Sequence, residues 1–184
     1  MKDKRVIYLT HAAVIAALYA VLTIAQNSLI PGSASAAIQF RVAEALTVLA
    51  LYTPAAIPGL TIGCVIANLS SVVAGLGVYD LVFGSIASLL AALAMYGLRN
   101  VRWFRLPILA LLMPALFNGI IVGFEIDFFF VGSMSFNLVD FLTQGGFVAI
   151  GELTVLFILG LPLTVLLDKK GAQMGITAAK QSTK

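Results

Sequence analysis

What this chain has least of is charge. Asp, Glu, Lys and Arg make up 10% of its 184 residues, against 61% hydrophobic side chains and a mean hydropathy of +1.06. Soluble domains carry about 25% charged residues, so this composition reads as an integral membrane protein. There is one cysteine, Cys64, and one histidine, His11. A lone cysteine excludes an internal disulfide and a cysteine-rich metal site. With a single histidine beside it, the chain is a poor candidate for a zinc or haem enzyme. No G-x-x-x-x-G-K-[ST] phosphate loop occurs, and no polar stretch is long enough to fold into a nucleotide-binding domain. An ATP-driven function would therefore take its ATPase from other subunits, and no cofactor is expected on this chain.

What is present is a series of apolar runs near the length that crosses a bilayer, about 20 residues at 1.5 Å each. Helices are predicted over 6–25, 39–52, 57–74, 79–98, 107–123 and 145–167, with 138 as an alternative start for the last. The second is short for a full span. The first directly follows Met-Lys-Asp-Lys-Arg, as in a signal peptide, but it is long and lacks a convincing cleavage site, so it is expected to be retained. Pro54 and Pro58 separate the second and third helices, and Pro107 falls in a first turn, where proline is tolerated. Pro114 and Pro162 fall inside helices and predict kinks. The expected fold is all-α, one six-helix transmembrane bundle over 1–170 followed by a mobile polar tail over 171–184.

Six spans place both termini on one side, and basic residues mark that side as cytoplasmic. Lys2, Lys4 and Arg5 precede the first helix; Arg99, Arg102 and Arg105 follow the fourth; Lys169, Lys170, Lys180 and Lys184 follow the sixth. Of the basic residues only Arg41 falls elsewhere, so the pI near 9.2 is a topology signal and not a sign of nucleic-acid binding. Asp3 and Asp168 are cytoplasmic in this arrangement, whereas Glu44, Asp80, Glu125, Asp127, Asp140 and Glu152 fall in the outer half or in outer loops.

Several polar residues then share a depth. Arg41 and Glu44 are three residues apart on the second helix, Asn68 lies past the middle of the third, and Asp80 opens the fourth. Asn118 is in the upper half of the fifth helix, and Glu152 is about two turns into the sixth. A charge at the centre of a spanning helix costs about 2.5–3.5 kcal/mol, so such groups face a cavity or each other. Structural pairing is one reading: Arg41 with Glu44, Asp80 at a helix N-terminus, and the two asparagines between helices. The other is an outward-facing ligand pocket, favoured because one arginine cannot neutralise several acids. A carboxylate accepting two parallel bonds from a ring N–H and an exocyclic amine, with an amide beside it, suits the edge of a guanine-like base. Phe40, Tyr79 and Phe83 are either a stacking wall or ordinary packing and interface aromatics.

The first helix carries Ala12, Ala16 and Ala20 in one i,i+4 row and Ala13 and Ala17 in the next. Small residues at this spacing allow another helix close approach. That helix could belong to this chain or to a partner. The outer loop 27–37, rich in small residues, is a candidate lid.

Five stretches in order, QFRVAEALTVL, PAAIPGLTIGCVIANL, YDLVFGSIASLLAAL, MPALFNGIIVGFE and VAIGELTVLFILG, resemble the queuosine-precursor transporter (QueT) family over about 13–161. These proteins are substrate-binding S components of energy-coupling-factor (ECF) transporters. The resemblance implies a six-helix S-component fold that captures a deazaguanine base, queuine or a queuosine precursor, and performs no chemistry of its own. It also implies a membrane scaffold subunit and two ATPase subunits as partners, with the A-x-x-x-A rows Ala13/Ala17 and Ala16/Ala20 docking on the scaffold. Arg41, Glu44, Asn68, Asp80, Asn118 and Glu152 fall in the family-like stretches, and Arg41 is expected to hold Glu44. Ala43 departs from the family, where a serine or similar small residue precedes the glutamate; a hydroxyl contact is lost but the Arg-Glu pair remains. The rival readings are an S component for another vitamin or nucleobase, an ion-coupled carrier, for which no broken-helix repeat is found, and an intramembrane enzyme using paired carboxylates.

Overall fold

The protein is described by a computed structural model covering residues 3–30, 40–73, 78–131 and 134–173, without the side chains of 70, 71, 73 and 171–173. Helix α1 (Lys4–Leu29) is capped by Asp3, whose carboxylate accepts the Arg5 amide at 3.1 Å. A 3-10 segment, η1 (Val42–Leu51), is followed by α2 (Ala56–Val73), α3 (Tyr79–Gly97) and α4 (Ile108–Glu125). Helix α4 runs on through a π-helical turn, Ile126–Val131. Helix α5 (Leu138–Val155) continues through a second π-helical stretch, Leu156–Gly160, into α6 (Leu161–Gln173). No strand is present among the described residues; the one bridge, Trp103 to Leu106, closes the turn between α3 and α4.

Four of these helical stretches are long and apolar enough to cross a membrane: Lys4–Leu29, Tyr79–Gly97, Ile108–Val131 and Leu138–Lys170. Val42–Leu51 and Ala56–Leu69 are apolar but shorter. The 3-10 geometry of η1 compensates in part, because a rise of about 2.0 Å per residue stretches ten residues to roughly 20 Å. Pro162 has no amide hydrogen to donate, and the π-helical stretch immediately before it is where the ladder adjusts. The helix backbone continues to Gln173; the rest of the expected tail lies outside the described residues.

The 3-10 segment is the centre of the bundle. Ala43, Glu44, Ala45, Thr47, Val48, Ala50 and Leu51 are all buried, and η1 touches each of α1 to α6. Around it pack Tyr19, Leu60, Cys64, Met95, Leu111 and Leu156. The outward faces stay apolar: on α1, Val14, Leu18 and Val21 are exposed while Ile15, Ala16 and Tyr19 are buried. That inversion is what a helix between lipid and a protein core requires.

Two glycine contacts fix the helix pairs. Helix α2 runs parallel to α1, and a Cβ on Gly59 would sit 2.8 Å from the Ala12 carbonyl oxygen. One on Gly63 would sit 2.9 Å from the Ala16 carbonyl oxygen and 2.8 Å from Tyr19 Cβ. Antiparallel α4 and α5 meet still more tightly, since a Cβ on Gly123 would lie 2.5 Å from Gly145 Cα. Both contacts are built on a G-x-x-x-G spacing, Gly59/Gly63 and Gly119/Gly123.

At one end of the bundle, Arg102 donates to Asp168 at 2.5 Å, and the Tyr52 hydroxyl bonds to the same carboxylate at 2.9 Å and to the Thr164 carbonyl at 3.0 Å. Burial, reinforced by the bonded carboxylate, pushes the Tyr52 phenol above its ordinary range. Arg102 and Asp168, which the charge pattern places on one side, thus meet. Arg41 lies at the opposite end.

Candidate functional site

The Arg41 end holds a polar cluster drawn from every layer of the bundle. Its entrance is tied by Gln26 of α1, whose side-chain oxygen accepts the Val42 amide at 2.9 Å and whose nitrogen donates to the Phe40 carbonyl. This ties down the chain on both sides of Arg41, whose backbone is extended (φ −82°, ψ 96°) just before η1 begins.

From there the Arg41 guanidinium reaches α3. Its Nη2 donates to both carboxylate oxygens of Asp80, at 3.1 and 3.2 Å, and the two side chains are only 8% and 18% exposed. The expected Arg41 to Glu44 bond is therefore corrected: the partner of Arg41 is Asp80. The i,i+3 argument presumed that both residues were helical, whereas Arg41 sits before the first turn and its extended backbone directs the side chain elsewhere. Glu44 remains within electrostatic reach of Arg41.

Glu44 is held instead by Tyr19 of α1, whose hydroxyl donates to Oε1. Tyr19 is 1% exposed and Glu44 is fully buried. Sequence reading missed Tyr19 because it stands in an alanine-rich face that reads as packing. The Asn68 amide nitrogen donates to the Asp80 backbone carbonyl at 2.7 Å and approaches Cys64 Sγ at 3.5 Å, tying α2 to α3. Asn68 thus takes the interhelical role of the structural reading. Gly84 leaves the room this requires, since a Cβ there would lie 2.9 Å from the Asn68 nitrogen and 3.0 Å from Asp80 Oδ1.

Asn118 on α4 and Glu152 on α5 form the other half. The Asn118 amide donates to Glu152 Oε1 at 2.8 Å, and each residue is 3% exposed. Glu152 lies within electrostatic reach of both Glu44 and Arg41, so the two halves form one cluster. Glu125, 1% exposed, joins it through the fields of Asp80 and Arg41. It was not among the expected site residues because the fifth helix was predicted to stop at 123. The spacing could have found it: Asn118 and Glu125 are seven residues apart, two turns along one helix face.

Among the described residues, Glu44 Oε2, Glu125 Oε2, Glu152 Oε2 and Asn118 Oδ1 are buried and meet no hydrogen-bond donor. All four are acceptors. A buried acceptor left unpaired costs about 1–3 kcal/mol, so a group of four is a place prepared for donors. Beside it the aromatics stack on one another: Tyr79 lies 3.9 Å from Phe129, which contacts Phe83 at 5.7 Å. Phe40, the third candidate for a stacking wall, is 42% exposed.

The alanine face of α1 divides. Ala12, Ala16 and Ala20 are buried, and the Gly59/Gly63 contacts show that α2 of the same chain takes up Ala12 and Ala16. This corrects the reading of that row as a surface open to a partner. Ala13 and Ala17, one position round the helix, are exposed. Of the candidate lid, 27–37, residues 27–29 are not loop but the last turn of α1, and 31–37 lie outside the described residues.

No curated protein and no solved structure gives a significant match to the chain. A family model described as QueT transporter matches residues 9–169, nearly the whole of the helical bundle and every residue of the cluster. The chain belongs to the QueT transporter family.

Proposed function

We propose that this chain is the substrate-binding S component of an ECF-type transporter and that the polar cluster captures a deazaguanine base, queuine or a queuosine precursor, from outside the cell. The observation that carries the reading is the set of buried acceptor oxygens on η1, α4 and α5 with no donor to meet. A guanine-like edge offers a ring N–H and an exocyclic amine to Glu152 Oε2 and Glu44 Oε2. The second hydrogen of the Asn118 amide serves its carbonyl. Arg41, Asp80 and Asn68 hold the frame around the base.

In this reading η1 and α2 complete a six-span bundle in the cell membrane, with both termini in the cytoplasm. The chain carries no catalytic chemistry, metal or nucleotide. A scaffold subunit docks on the exposed side of α1 at Ala13 and Ala17, and two ATPase subunits supply the energy that resets the loaded protein. A thermal-shift screen of the purified protein with guanine, queuine, aminomethyl-deazaguanine and cyano-deazaguanine tests the assignment. Stabilisation by at least one deazaguanine supports it; stabilisation only by an unrelated vitamin contradicts it.

A further inference from the structure

The end of the bundle opposite the polar cluster carries a surface that takes no part in the substrate site. Between α3 and α4 the chain reverses tightly. The Trp103 amide donates to the Leu106 carbonyl at 2.8 Å, and the Leu106 amide donates back to the Trp103 carbonyl at 2.9 Å. The two residues between them, Phe104 and Arg105, have φ of 50° and 66°. Left-handed backbone at two successive positions is the type I′ turn, which ordinarily takes asparagine and glycine. Here a phenylalanine and an arginine hold it.

The turn presents its aromatic side chains outward. Trp103 is 68% exposed and Phe104 85%, and their rings stack on each other 5.7 Å apart instead of entering the core. The turn is also fixed to the bundle, because Arg102 pairs with Asp168 on the last helix and reaches the Arg105 carbonyl at 3.4 Å. Lys169 and Lys170 follow Asp168 directly and are exposed, as is Arg105. Arg99 lies over the Tyr96 ring, 4.0 Å from its centre. Across 96–107 and 164–173 the only acid is Asp168, and Arg102 already occupies it. Two protruding rings thus stand beside basic side chains that exceed the acids available to them.

Rings at this level suit the interface of any bilayer. The excess of positive charge does not: a zwitterionic surface leaves it unmatched, whereas anionic headgroups at the same depth match it. We infer that this turn is a binding site for an anionic phospholipid in the leaflet at this end of the bundle. Trp103 and Phe104 lie against the upper acyl chains, and Arg105, Lys169 and Lys170 meet the headgroup phosphate. The site is separate from the polar cluster and does not depend on what that cluster binds.

Trp103 is the only tryptophan in the chain, so its fluorescence reports on this turn alone. The test reconstitutes the full chain in vesicles of equal parts phosphatidylcholine and phosphatidylglycerol, with quenching bromines on the acyl chains of one lipid or the other. Basic residues this close to the surface predict at least about threefold enrichment of the anionic lipid beside Trp103, read as stronger quenching by brominated phosphatidylglycerol. The preference should shrink in high salt and in a triple variant carrying Arg105→Gln, Lys169→Gln and Lys170→Gln. Equal quenching by the two lipids overturns the inference and leaves an unselective aromatic anchor. Quenching by neither, with Trp103 open to iodide in the water, also overturns it and gives the face to a protein partner. Both comparisons use the native protein, so they stand even if the variant fails to fold. A folded triple variant that keeps the full preference overturns the assignment of the phosphate to these three residues.

Discussion

Tyr19 on α1 donates its hydroxyl to Oε1 of Glu44 on η1, so the most deeply buried carboxyl group of the cluster is held by one oxygen and presents the other. This relationship joins the fold to the site. Tyr19 lies where α1 packs on Gly63, and the contact that brings the two helices together also brings the phenol to the glutamate.

Tyr19→Phe keeps the ring and removes the donor. A second buried acceptor is then left unpaired, which should destabilise the protein by about 1–3 kcal/mol. Unfolding in mixed micelles measures this, and affinity for the base should fall as Glu44 loses its fixed orientation. Unchanged stability and affinity would show that the contact does not position Glu44.

Arg41 and Asp80 are predicted to behave as a unit. Removing either partner of this partly buried ion pair should cost about 1–3 kcal/mol, because the other charge is left without its partner. A double-mutant cycle with Arg41→Gln and Asp80→Asn should show the double variant less damaged than the sum of the two. Strict additivity would mean that the pair is not coupled.

Ala16 and Ala17 are adjacent in the chain and should respond in opposite ways. Leucine at Ala16 drives into α2 beside Gly63, and overpacking of this kind costs about 1–3 kcal/mol. It should reduce both folding yield and ligand binding. Leucine at the exposed Ala17 should leave binding unchanged and abolish uptake by the assembled transporter. Unaffected uptake in Ala17→Leu would remove this face from consideration as the scaffold contact.

The Tyr52 to Asp168 bond should stabilise the other end of the bundle without touching ligand affinity. Because the folded phenol is raised above its unfolded value, its contribution is complete below pH of about 10 and is lost as pH rises beyond it. Comparing unfolding of the native protein and Tyr52→Phe from neutral to alkaline pH should show a gap that narrows only at the alkaline end. A gap that widens there would reverse the sign.

Much of this was legible in the sequence, for physical reasons that also explain what was not. Hydrophobic runs located the helical stretches, although the second is a 3-10 segment and the last begins at the alternative start, 138, and the rarity of charge made Arg41, Glu44, Asp80 and Glu152 conspicuous. Their shared depth followed from counting residues along helices. The partners did not follow, because pairing depends on backbone conformation: Arg41 is extended, not helical, and so meets Asp80 in place of Glu44. Tyr19 was hidden among alanines, and Glu125 was excluded by two residues of unpredicted helix. The G-x-x-x-G spacings in α2 and α4 were readable signals of the close helix contacts, and they identify which alanine row of α1 is used internally.

The most direct test of the account is the affinity of the purified protein for aminomethyl-deazaguanine before and after Glu44→Gln and Glu152→Gln, measured by calorimetry. Each substitution keeps the shape and removes a buried carboxyl acceptor, so each should weaken binding by roughly tenfold or more. Affinity unchanged in both variants would contradict the assignment of the cluster as the substrate site.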